Sequence, residues 1–154
     1  MLGGRFSGAQ MVMNSSAEGP LPTPKNSQPP TPNPQHLGRV LLIQAQWPAR
    51  PMLKAELEQR GFDVLGADSV SLAVDLSMQR GFRPRAVVLD TADLVASPEE
   101  IERLRFLADG VPLVLVRSPQ YTSPEYERLG PARELMRPVT VGEIADAVTS
   151  VLPK

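Results

Sequence analysis

Three short stretches of this chain are apolar at nearly every position: RVLLIQ (residues 39–44), AVVLD (86–90) and VPLVLVRS (111–118). No other feature narrows the fold as much. A strand with one wetted face alternates apolar and polar residues, whereas a strand covered on both faces reads as a continuous Val/Ile/Leu run, the pattern of a parallel sheet between helical layers. Two weaker runs, FDVLGA (62–67) and RELMRP (133–138), complete a set of five. Between and after them lie amphipathic stretches at 52–60, 71–80, 98–108, 123–129 and 141–152. Strand and helix therefore alternate five times, and right-handed crossovers convert that order into a three-layer α/β/α sandwich.

The intervening stretches carry helix signals of their own. Met52, Leu53 and Leu57 form an apolar stripe, and Gly61 after Arg60 serves as a C-terminal cap. Ser69 or Ser71 caps a helix bearing Leu72, Leu76 and Met78, which ends at Arg80 and Gly81. Ser97-Pro98-Glu99-Glu100 combines an N-cap, a proline at the first helical position and acidic residues in the positive first turn. Thr140 followed by Glu143 is a capping box, with Ile144, Val148 and Val151 facing inward. Pro48 and Pro51, beside Trp47, predict loop packing and a late start to the first helix.

Ahead of the first apolar run the texture differs. Seven of the seventeen prolines fall between Pro20 and Pro34, in a stretch with one leucine and no aromatic residue. Such a segment buries too little apolar surface to offset its ordering entropy, so residues 1–38 are expected to be a disordered, partly polyproline II tail and 39–154 the folded domain. Its functional alternative, a ligand for an SH3-like or WW-like groove, lacks a basic anchor beside a clean PxxP core.

Composition excludes several classes of function. The formal net charge is −1, so no global positive field gathers nucleic acid or an anionic membrane surface. There is no cysteine, and the single histidine, His36, lies in a polar stretch, which removes thiolate and zinc chemistry. No window approaches the roughly eighteen apolar residues of a membrane span, and no signal-peptide pattern opens the chain, so the expected location is the cytoplasm. Walker-type and dinucleotide glycine loops, a nucleophile–base pair with histidine and a basic-aromatic patch are all missing from the sequence, and no enzymatic activity is expected.

The string GRVLLIQAQWPARPMLKAELEQRGFDV resembles the opening strand and first helix of the receiver domain of bacterial two-component response regulators. AVVLD is similar to that family's third strand, VPLVLV to its fourth, and MRPVTVGEIADAV to its fifth strand, Lys-Pro element and last helix. The resemblance spans the whole of 39–154 and implies a flavodoxin-like, five-stranded parallel sheet in the order 2-1-3-4-5. It also implies a set of site positions. In the family, two acidic residues after the first strand and the phosphoacceptor aspartate hold Mg²⁺, while a hydroxyl and a lysine bind the phosphoryl oxygens. The cation is needed because a carboxylate attacking an anionic phosphoryl donor meets like-charge repulsion.

Here the acidic pair maps to Gln44 and Ala45, with Gln46 next; the phosphoacceptor position holds Asp90, with Asp93 the nearest other carboxylate. The hydroxyl position maps to Arg117, with Ser118 one residue beyond, and the lysine position is Arg137, still followed by Pro138. One carboxylate among neutral groups binds Mg²⁺ poorly, so no metal or other cofactor is expected. Arg117 and Arg137 are expected to bring one or two permanent positive charges to Asp90, mimicking a fixed state. The resemblance then implies a degenerate, stand-alone receiver acting independently of phosphorylation, through its fourth helix, fifth strand and fifth helix. Its partners would be a histidine kinase, another regulator or a second copy of itself. Tyr121 and Tyr126 fall near the fourth helix, where solvated or half-buried packing is the favoured role. Two other readings stay open: a residual phosphoacceptor switch using Asp90, and a small-molecule site at the carboxyl ends of the strands against Gln44, Asp90 and Arg117.

Overall fold

The computed structural model describes residues 36–120 and 123–153; the proline-rich stretch and Tyr121 lie outside them. In chain order the elements are β1 (Gly38–Ile43), α1 (Ala49–Gln59), β2 (Phe62–Ala67), α2 (Val70–Arg80), β3 (Ala86–Asp90), α3 (Pro98–Leu107), β4 (Leu113–Arg117), α4 (Pro124–Glu127), β5 (Arg133–Met136) and α5 (Val141–Val151). All strand pairs are parallel and the order is β2-β1-β3-β4-β5, as the apolar runs and the resemblance together predict.

The continuous apolar runs are explained by burial on both faces. Leu41, Ile43, Val87, Leu89, Leu113 and Leu115 point into one core layer with Val74, Ile101 and Leu104 from α2 and α3. Their sequence neighbours Val40, Leu42, Val88, Val114 and Val116 point the other way, against Leu53 and Leu57 of α1 and Ile144 and Val148 of α5. Period-two alternation thus divides each central strand between two cores. Truncating one fully buried member, such as Leu104, costs about 2–5 kcal/mol.

Several sequence expectations need correction. α1 begins at Ala49, earlier than the prolines suggested, with Pro48 as its N-cap and Pro51 inside its first turn. Amide hydrogens of a first turn have no intrahelical acceptor, so a proline there sacrifices no helical bond. The apolar stripes are also rotated: Met52, Leu72 and Met78 are exposed, and α2 buries Val70, Ala73, Val74 and Ser77. α2 therefore lays small and β-branched residues on the sheet and leaves its long ones at the flank. Of the two candidate caps for α2, Ser69 is the one used; it accepts from the Leu72 amide. The predicted capping box of Thr140 with Glu143 forms reciprocally, and the predicted N-cap Ser97 goes further, forming a reciprocal box with Glu100. Val151 is only half-buried.

The far edge of the sheet is lightly covered. α4 is a single turn, and β5 leaves Arg133, Glu134 and Met136 exposed. Tyr126 of α4 is buried in the α2–α3 side core, more deeply than the solvated or half-buried packing expected of it. Burial raises its phenol pKa above the usual tyrosine range, with the Glu125 carboxylate adding to the effect.

Candidate functional site

Parity and register assemble the site at the carboxyl ends of β1, β3 and β5. Ile43 lies beside Leu89, so Gln44, the next residue, is level with Asp90. Asp90 is in turn beside Val116, and Val116 beside Leu135. Asp90 has the parity of Ala86 and Val88, Gln44 that of Val40 and Leu42, and Arg137 lies two residues beyond Leu135. All three are therefore on the α1–α5 face of the sheet.

Asp90 is fully buried and its carboxylate is surrounded by donors. Its Oδ2 accepts from Gln44 Nε2 at 2.8 Å and from Arg137 Nη2. Its Oδ1 accepts from the Ala92 amide at 3.0 Å and, more weakly, from Arg137 Nε at 3.5 Å. A carboxylate offers about four lone-pair sites, and four donors occupy them here. The pairing of Arg137 with Asp90 is the two-pronged, charge-assisted kind for which a guanidinium is suited and an ammonium is not. The Arg137–Pro138 peptide is cis, as is Trp47–Pro48.

Gln44 takes its orientation from that charge. Its amide nitrogen faces the carboxylate, leaving the buried Oε1 without a partner among the described residues. The reverse orientation would set two acceptors against each other. At the position where the resemblance implies a metal-binding carboxylate, the Gln44 amide is thus a donor to Asp90. Arg50 of α1 steadies the same turn, donating from Nη1 to the Gln44 carbonyl at 2.8 Å.

The other predicted residues are placed less centrally. Arg117 does not reach Asp90; this expectation is overturned. It follows Val116 by one residue, so its side chain falls on the opposite face. There it pairs with Glu134 at 2.9 Å and with Glu127 at 3.6 Å. The hydrogen bond to Glu134 is the main reason its guanidinium pKa is raised. Ser118 is buried, but its hydroxyl donates to Gln120 and its amide to Thr91 Oγ1. Ala45 is half-buried against the other core layer and offers no polar side-chain atom. Gln46 and Asp93 join across the mouth of the site at 3.1 Å, Asp93 having a left-handed φ of 57°. Trp47 stands on the rim, largely exposed.

Chemically, the arrangement is a closed ion pair. A nucleophilic carboxylate needs a lone pair free to meet phosphorus, and a divalent cation needs several oxygen ligands with room for water. Here a tethered guanidinium supplies the positive charge. Among the described residues no cluster of three or more His, Cys, Asp or Glu side chains is placed to hold a metal ion. No helix among them is long and apolar enough to cross a membrane.

Comparison with known proteins supports the fold. No protein-family model matches the chain, and no curated protein matches it in sequence. Solved structures do match. A CheY-like response regulator receiver domain protein from Methanospirillum hungatei superposes with a TM-score of 0.61 at 20% identity, covering 75% of this chain and 94% of that one. The chemotaxis response regulator CheY4 of Vibrio cholerae gives 0.59 at 17% identity over 75% and 98%. A receiver domain from Clostridium thermocellum gives 0.60 at 16% identity over 74% and 93%. The fold is that of response regulator receiver domains.

Proposed function

Proceeding from the receiver fold, we propose that this chain is a degenerate receiver, a cytoplasmic protein-interaction module of signal transduction that works without phosphorylation and catalyses no reaction itself. The observation that carries this reading is the Arg137–Asp90–Gln44 constellation. Four donors fill the carboxylate, and the charge that a metal would bring is covalently tethered. Phosphoryl transfer to Asp90 would first have to break this pair, then proceed with no divalent cation screening the donor. Removing one preorganised charge-stabilising group commonly slows a reaction by about two to three orders of magnitude. The partner is a histidine kinase or another regulator, docking on α4, β5 and α5, where thin cover by α4 leaves the β5 edge and Met136 open.

The test is exposure of the full chain to acetyl phosphate with Mg²⁺, followed by intact mass. The expected result is no phosphoryl adduct, with Trp47 fluorescence flat through a Mg²⁺ titration. An adduct that maps to Asp90 and is lost in Asp90→Asn would overturn the proposal in favour of a working switch, as would a saturable Mg²⁺ response.

A further inference from the structure

Away from the Asp90 site, α2 and α3 enclose a groove of about 1050 Å³ that none of the preceding chemistry uses. It runs along α3 from Glu99 to Leu107 and beside the C-terminal half of α2, reaching Pro84 and Val111 ahead of β3 and β4. Val74 and Phe82 help form its buried apolar floor. Its two shoulders are apolar and wet: Met78 on α2 is 66% exposed and Phe106 on α3 is 86% exposed. A phenyl ring left almost wholly in water beside an apolar trough is the usual mark of a contact surface.

We propose that this groove is a self-association surface and that its occupant is a second copy of this chain. The argument is charge and shape self-complementarity. Arg83, on the α2 side of the groove, has no ion-pair partner among the described residues. Asp109, at the foot of α3, likewise has none. A two-fold axis running along the groove lays α2 of one copy over α3 of the other. Phe106 then meets Met78 of the second copy, a sulfur–aromatic contact, while Arg83 meets Asp109 of the second copy, and each contact occurs twice. A partner of one charge sign would leave either Arg83 or Asp109 opposed, whereas the second copy satisfies both; of the other charges lining the groove, Glu102 and Arg103 pair with Arg105 and Asp75 within the chain, and Glu99 is exposed to solvent.

Sedimentation equilibrium of the full chain tests this directly. The wild type is expected to show a monomer–dimer equilibrium, and Phe106→Glu to be monomeric over the same concentrations. Both Arg83→Glu and Asp109→Arg should weaken association by at least about tenfold, because each creates two like-charge contacts. An equimolar mixture of these two variants should restore it, since both contacts in the mixed dimer are again of opposite sign. All three positions are exposed, so the variants should fold, and far-ultraviolet circular dichroism is the check on that. A wild type that stays monomeric, a dimer indifferent to Phe106→Glu, or a mixture that fails to recover association would each overturn the proposal.

Discussion

Replacing Arg137 by alanine puts the closed ion pair to its hardest test. The substitution removes two hydrogen bonds to the Asp90 carboxylate and the one cationic side chain bonded to it among the described residues. Hydrogen bonds to charged groups are worth about 1.5–3 kcal/mol each, so the gross loss is about 3–6 kcal/mol. Two factors reduce it. Gln44 and the Ala92 amide still donate to the carboxylate, and the Arg137 side chain is 25% exposed, so water can enter where it lay. The net cost should be about 3 kcal/mol, the lower end of what breaking one side of a buried pair costs. In a domain of this size that lowers Tm by about 10 °C. Arg137→Lys keeps the charge but gives up the fork, and should lose about half as much. Asp90→Asn should cost about 1–2 kcal/mol, because the long arginine stem can carry its head to water. Urea denaturation of the two single variants and of Arg137→Ala/Asp90→Asn closes a double-mutant cycle, with a coupling of about 2 kcal/mol expected. Additive single effects, or a loss below about 1 kcal/mol for Arg137→Ala, would refute the claim that the pair holds the site shut.

Two further outcomes follow from the same geometry. Arg117→Ala should cost only a fraction of what Arg137→Ala does, and less still in added salt, because its partners Glu134 and Glu127 sit at the surface; equal losses at the two arginines would contradict the assignment of Arg117 to the opposite face. For Tyr126, burial raises the folded-state pKa, so the unfolded chain releases its proton first. The stabilisation is complete below the ordinary tyrosine value of about 10 and is lost as pH climbs from there through the raised value, so the wild type should lose more stability in that window than Tyr126→Phe.

The fold was largely readable in the sequence because its signals were redundant. Continuous apolar runs, helix N-caps and Arg-Gly helix ends all pointed to the same alternation of elements. The helix faces were less readable. On α2, long residues such as Leu72 and Met78 look like the core stripe, yet Ala73 and Ser77 take the sheet side, where short side chains allow close approach. At the site, Asp90 and Arg137 could be paired by position, but the role of Gln44 was read as the loss of a carboxylate and not as the gain of a donor. Strand parity was the missed signal. Counting in twos from the buried valines places Gln44, Asp90 and Arg137 on one face and Arg117 on the other, once the register of β3, β4 and β5 is known. That register is set by tertiary packing, because parallel strands are joined by crossovers and no tight turn fixes how they align.

Exchanging a diffusible cation for a tethered one changes what the domain can compute. A receiver that binds metal and phosphoryl group gains stabilisation that depends on their supply, and a ligand shifts a conformational equilibrium only through its differential affinity for the two states. Arg137 is present at every moment and in every condition, so the free energy it contributes cannot vary with a signal. Its pairing with Asp90 therefore biases the domain by a constant amount, equal to the difference in that pairing between the two states. Each 1.4 kcal/mol of that difference is a factor of ten in the ratio of the states. On the proposed reading, what can still vary is who occupies the open surfaces, and regulation passes from chemistry at Asp90 to the concentration of the protein and its partners.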